Sequence, residues 1–348
     1  MPDVSAVKDS HNGRGRRRKP AVMADVAKLA GVSHQTVSRV INASQQVRPE
    51  TRDRVLAAMR MLDYRPNTMA RALATGRSRT LGVVSFDTTL YGPASTLFSI
   101  HRAAHEGGYF ISTVSLRTLD RESFLDAVER LRGQGVEGIL VIAPQTDAAH
   151  SVLQLPDDLA VVAVEAGPER GVPVVAVDQV AGAAQATRHL LELGHRTVWH
   201  IAGPEDWLEA QQRIAGWRQV LQAAAADTPP IQIGDWSPRS GYEIGQRLAL
   251  DPEVSAVFVG NDQMALGLLR AMHEAGRAVP GVVCVVGFVD VPVAAYFTPP
   301  LTTVRQDFME VGRQSFHLLV QEISAGSRSS RRLSVAPELV IRHSTASA

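Results

Sequence analysis

The chain has 348 residues, 45% of them apolar and 20% charged, and a single cysteine. That length is too great for one small core and points to two or three domains. One thiol, Cys284 within "GVVCVVGF", excludes an internal disulfide framework and suits a reducing compartment and a buried strand position. No apolar run reaches membrane-spanning length and no secretory h-region stands near the start, so a cytoplasmic protein with no membrane partner is expected. The net charge of +1 conceals an asymmetry: residues 1–80 hold 16 Lys/Arg against 6 Asp/Glu, a net of +10, and the remainder carries −9. A basic head on an acidic body predicts a polyanion partner for the head alone. Residues 1–20, with "GRGRRRKP", read as a disordered basic tail.

Residues 21–64 read as an all-α head of three short helices. Met23, Val26, Ala27 and Ala30 share one side of the first. Gly31 suits the left-handed turn that ends it, and Ser33 is a good N-cap for the next. In "VSHQTVSRVIN" Val37, Val40 and Ile41 make an apolar face, while Gln35, Ser38, Arg39 and Asn42 turn outward with His34 at the leading edge. Pro49 starts a third helix with Val55, Ala58, Met59 and Leu62 as its buried stripe. Helix, four-residue turn with glycine, helix is the helix-turn-helix pattern, whose second helix meets base edges in the major groove. Gln can pair bidentately with adenine and Arg with guanine, and Ser or Thr can hold phosphates. Residues 65–78 form a linker containing "RPNTMARALATG", Ala-rich, flanked by Pro66 and Gly76, and too short for a stable isolated helix.

From residue 79 on, apolar runs alternate with amphipathic stretches such as "RESFLDAVERLRGQG". Strands are expected at "LGVVSF", "YFISTVSL", "GILVIAP", "LAVVAVEAG" and "PVVAVD", then at "TVWHIAG", "VSAVFVGN" and "VCVVGFV". Two series of β-α units predict an α/β body of two doubly wound parallel-sheet lobes. Trp236 in "GDWSPRSGY" is a loop aromatic suited to stacking on a pyranose. Asn261 follows a strand, where it could bind hydroxyls or cap the next helix, with Asp262 competing for the cap. Arg213 lies on a long helix and Glu165 ends a strand; both also fit a solvated surface. No Walker loop, strand-linked GxGxxG, nucleophile elbow or HExxH is present, so neither an enzyme nor a metal site nor a cofactor is expected. His189 and His195 flank a helix end and read as surface residues.

The stretch "DVAKLAGVSHQTVSRVIN", followed by "VRPETRDRVLAAMRMLDYRPNTMARALATGRS", resembles the lac repressor family of bacterial transcription regulators. "GDWSPRSGY", "GNDQMALG" and "YFTPPLTTVRQDF" extend the resemblance down nearly the whole chain after residue 22. It implies His34, Gln35 and Arg39 as base readers, with Ser33, Thr36, Ser38, Asn42 and Thr51 on the phosphate backbone. Residues 65–76 would be a hinge helix that folds as a pair on DNA, Leu73 wedging into the minor groove beside Ala70. It further implies a body at 79–348 of periplasmic-binding-protein type. There the chain would cross between lobes three times, and a sugar or glycoside would bind between them against Leu90, Glu165, Arg213, Trp236, Asn261 and Phe308. Glu165 stands where the family's namesake has an aspartate. In "VVGFVDVP" most sugar-responsive members have two successive aspartates; here the first is Val289, leaving only Asp290. The implied partners are palindromic double-stranded operator DNA, a second copy of the chain in a homodimer, and a small effector. A purine or other corepressor is the alternative to a sugar. The namesake's leucine-heptad tail has no counterpart after "ELVIRHSTASA", which favours a dimer. A sugar-binding transport protein would account for the body but not for the basic head.

Overall fold

A computed structural model describes residues 21–41, 46–65, 76–86, 89–116, 121–142, 144–146, 151–152, 155–156, 158–165 and 171–345. The basic tail and Asn42, Ala70 and Leu73 lie outside the described residues. The chain divides into two compact units, one ending at Ser78 and one beginning at Arg79.

The first unit holds α1 (Met23–Ala30), α2 (His34–Ile41) and α3 (Pro49–Met61). Gly31 adopts φ +64°, and the Val32 amide donates to the Ala27 carbonyl at 3.0 Å, closing α1 as the left-handed cap requires. Ser33 caps α2, its Oγ accepting from the Thr36 amide at 3.2 Å. Pro49 opens α3, where its missing N–H costs nothing. Val26, Val37 and Val55, one from each helix, are fully buried together. Ala58 joins them, whereas Met59 and Leu62 are only half-buried.

The second unit contains two six-stranded sheets. The first takes β1 (Thr80–Phe86), β2 (Phe110–Leu116), β3 (Gly138–Ile142), β4 (Ala160–Val164), β5 (Val174–Val177) and, late in the chain, β11 (Arg332–Val335). Its order is β11-β5-β4-β3-β1-β2 and every pairing is parallel. The second takes β6 (Trp199–Ala202), β7 (Gln232–Ile233), β8 (Ala256–Val259), β9 (Cys284–Val289), β10 (Thr302–Arg305) and β12 (Glu338–Val340), ordered β12-β10-β9-β8-β6-β7. Only β12 runs antiparallel. Helices α4 (Tyr91–Glu106), α5 (Arg121–Gly133) and α10 (Phe308–Ala325) serve the first sheet. Helices α6 (Gln179–Glu192), α7 (Leu208–Ala223), α8 (Pro238–Leu248) and α9 (Asp262–Glu274) serve the second. Cover on both faces is what the near-continuous apolar strands demand, and β3, β5, β8 and β9 are buried at every position.

The chain therefore passes between lobes after β5, after β10 and between β11 and β12. Cys284 is a buried strand residue, as its apolar setting suggests. His189 and His195, expected on the surface, are half-buried instead. The ring of His189 bonds Thr345 Oγ1 at 2.9 Å and that of His195 bonds Ser255 Oγ at 3.0 Å.

Candidate DNA-reading helix and effector cleft

On α2 the apolar side is spent on the core, and Ser33, His34, Gln35 and Arg39 remain exposed, with Thr36 and Ser38 half-exposed. Thr51 sits half-exposed in the first turn of α3. Ser33 Oγ and Thr36 Oγ1 lie 3.0 Å apart and share one hydrogen bond, so one of the two hydroxyl protons stays available to a phosphate. Exposed amide, guanidinium and imidazole groups along one leading edge suit base contacts, and the hydroxyls flanking them suit the backbone.

In the second unit a cavity of about 240 Å³ opens between the lobes at the carboxyl ends of the strands. The first lobe contributes Thr89 to Pro93, after β1. The second contributes Trp207 after β6, Trp236 after β7, Asn261 after β8, Val289 at the end of β9 and Gln306 after β10. Crevices open at the carboxyl ends of parallel strands because helices and loops diverge there. The lobes touch beside it: the Leu208 amide donates to the Pro144 carbonyl at 2.9 Å and the Thr146 amide to that of Asp206 at 3.1 Å.

Trp236 and Trp207 meet edge to face, with centroids 5.6 Å apart and planes at 74°. Gly203 makes room for this, since a Cβ there would collide with the Trp236 indole. Trp236 holds φ +70° and its buried Nε1 has no partner among the described residues. Arg213 is 1% exposed and held on three sides. Its Nε donates to Gln179 Oε1 (2.9 Å), its Nη1 to the Gly260 carbonyl (2.6 Å) and its Nη2 to Glu209 Oε2 (3.0 Å). The guanidinium lies 4.0 Å from the Phe288 ring centroid. Asn261 caps α9, Oδ1 accepting from the Met264 amide at 2.8 Å while Nδ2 donates to the Trp236 carbonyl at 3.0 Å. Half of its hydrogen-bonding capacity thus fixes the cleft wall. Asp262, the rival cap, is instead buried at the start of α9, accepting from Thr303 Oγ1 and from the Val291 amide. Burial raises its carboxyl to about 7.

Leu90, Arg213, Trp236, Asn261 and Val289 all line the cavity. Glu165 and Phe308 do not line it. Phe308 packs edge-on behind Tyr91, with centroids 6.1 Å apart. Glu165, 5% exposed at φ +57°, accepts from the Val177 amide; burial, reinforced by the charge of Glu209, raises its carboxyl to about 8. Neither Arg213 nor Glu165 is on a solvated surface. Asp290 does not face the cavity either: its Oδ2 accepts from Arg305 Nε at 2.8 Å and its Oδ1 from Arg342 Nη2 at 2.7 Å. Trp207, Glu209, Gln179 and Gln306 escaped the reading of the sequence. Only Glu209 left a signal there, lying four residues ahead of Arg213 on the same helix face.

Residues 22–67 match the model of the bacterial regulatory proteins of the lacI family, and residues 187–345 match the periplasmic binding protein-like domain. The chain is 33% identical to the lactose operon repressor of Klebsiella pneumoniae, covering 94% of this chain and 93% of that protein. It is 36% identical to the HTH-type transcriptional regulator CelR of Thermobifida fusca, covering 94% and 99%. It is 32% identical to the HTH-type transcriptional repressor PurR of Haemophilus influenzae, again covering 94% and 99%. Among solved structures, the lac repressor dimer bound to operator and the anti-inducer ONPF superposes with a TM-score of 0.82 at 31% identity, covering 94% and 99% of the two chains. The CelR–cellobiose complex superposes with a TM-score of 0.69 at 33% identity, covering 93% and 99%. The fold and the cleft define a DNA-binding regulator with a small-molecule-binding body. The chain belongs to the lacI family of bacterial regulatory proteins. Its relatives are transcriptional regulators rather than enzymes. No helix of the described residues is long and apolar enough to cross a membrane.

Proposed function

We propose that this protein is a homodimeric repressor that binds a palindromic operator through α2 and leaves it when a neutral sugar or glycoside occupies the cleft between lobes. His34, Gln35 and Arg39 read bases. Ser33, Thr36, Ser38, Asn42 and Thr51 hold the backbone, and Leu73 with Ala70 opens the minor groove. Dimerisation finds support in the operator-bound dimer of the lac repressor.

The observation that carries the sugar reading is the Trp207–Trp236 corner beside the Arg213–Glu209 pair. A pyranose has an apolar face for an indole and a polar rim for charged groups. The two indoles stand at 74°, so they offer no parallel pair of faces between which a planar base could be sandwiched. CelR is solved with cellobiose, which supports the same class. Likeness to PurR, a repressor named for purines, favours a second reading in which a purine is the ligand.

The test titrates the full chain with cellobiose, lactose, hypoxanthine and guanine, following tryptophan emission and operator binding. Quenching and operator release with a sugar alone are expected. Binding of a purine and of no sugar overturns the proposal. Release further requires the sugar to prefer the low-affinity state, because equal affinity for both states shifts nothing.

A further inference from the structure

We infer that Glu209 decides which sugar hydroxyls this cleft accepts, its free Oε1 and the uncommitted N–H groups of Arg213 together reading two adjacent hydroxyls. The inference rests on the sugar reading above. The end of β9 offers no free side-chain acceptor: Val289 is apolar, and both oxygens of Asp290 are taken by Arg305 and Arg342. The facing wall supplies what is missing. Glu209 lines the cavity one helical turn before Arg213 and gives Oε2 to that guanidinium at 3.0 Å. Its Oε1 has no hydrogen bond among the described residues, although the side chain is only 16% exposed. Arg213 has five N–H groups, and three are committed to Gln179, Gly260 and Glu209. Two donors therefore remain beside one carboxylate acceptor on a single rigid wall.

That pattern is complementary to a vicinal diol. One hydroxyl donates to Glu209 Oε1, and the oxygens of both accept from the guanidinium. The other carboxylate lining the cavity, Asp235, is exposed and already accepts from the Ser237 amide at 2.9 Å. Glu165 lies behind the wall, where burial raises its carboxyl to about 8. Burial raises the Glu209 carboxyl too, while the Arg213 guanidinium 3.0 Å away pulls it back down, so the wall presents an opposed pair rather than a lone charge. The wall suits an uncharged polyol.

The experiment measures affinity by calorimetry for cellobiose and for its monodeoxy analogues, in the wild type and in Glu209→Gln. Glutamine keeps the length and an oxygen for Arg213, but replaces the free acceptor with a donor. The expected result is a loss of tenfold or more for cellobiose, and a loss of less than threefold for the one monodeoxy sugar that lacks the hydroxyl read by Oε1. Equal losses across all the sugars would assign Glu209 a purely structural part and overturn the inference, as would no loss at all. Glu209→Ser is compared in the same way should a circular dichroism melt show Glu209→Gln unfolding early. If the wild type binds hypoxanthine and no sugar, it is the sugar reading that has failed. If it binds sugars and the variant binds them with an unchanged profile, only the role of Glu209 has failed.

Discussion

Gln179 Nε2 donates to Gln306 Oε1 at 2.9 Å, and these two buried side chains belong to the first and second segments by which the chain passes between lobes. The carbonyl of the same Gln179 amide accepts from Arg213 in the cleft wall. A ligand that draws on Arg213 is thus linked through one carboxamide to both crossings.

Gln306→Leu should lower the unfolding free energy of the body by about 1–3 kcal/mol, since it leaves a buried amide donor of Gln179 unpaired. Urea denaturation followed by tryptophan emission measures this. An unchanged midpoint and slope would show that the Gln179 amide finds another partner and that the bridge contributes nothing.

Arg39 is exposed on the leading face of α2, away from the valine core. Arg39→Ala should cost about 1–3 kcal/mol on the operator and much less on random DNA, while both affinities keep falling steeply with salt. Equal losses on the two DNAs would make Arg39 a phosphate contact.

Val289 faces the cavity with φ +115°, a region that a β-branched side chain occupies only under strain. Val289→Asp places an acceptor on the wall that now lacks one. For a galactoside or glucoside with a hydroxyl there, the gain should be about 1–3 kcal/mol, read as operator release at lower sugar concentration across a panel. The same dose response in both proteins would show that this position does not meet the ligand.

His200 is buried against Trp217 and Phe258, its Nδ1 bonded to the Phe258 carbonyl at 2.9 Å. Burial, the largest cause, holds its pKa down at about 4 against 6.5 in the unfolded chain. The unfolded state therefore binds more protons between those values. The contribution of His200 is complete above pH 6.5 and is lost as pH falls toward 4, about 3 kcal/mol in all. His200→Phe should flatten that slope in melts taken from pH 7 to 4. A slope retained in the variant would assign it to other groups.

The fold was legible because its signals are local. Gly31, Ser33 and Pro49 punctuate the head, and eight apolar runs mark seven interior strands and the edge strand β2, long enough at seven residues to show. The strands left unmarked, β7, β10, β11 and β12, are short or lie at or beside sheet edges, where mixed polar and apolar residues blur the alternation. In the cleft, lone residues at strand ends could be picked out, such as Trp236 and Asn261. Their partners could not: Trp207 meets Trp236, and Gln179 meets Gln306, only through tertiary folding. Glu165 and Phe308 are expected at the lining through the family resemblance, which matches positions in the chain and carries no information on packing depth. Only packing shows that each lies a layer behind.

The placement of β11 also constrains how the protein is made. Its partner β5, "VVAV", is buried at all four positions and pairs with Arg332–Val335, which leave the ribosome after five of the six strands of the second sheet. Until then a nascent chain carries a bare, wholly apolar strand edge, the kind of edge that templates aggregation. A stop codon anywhere between β10 and β11 would release a chain that has nearly all of its second lobe and an unfinished first one. Chaperone dependence should accordingly peak late in synthesis.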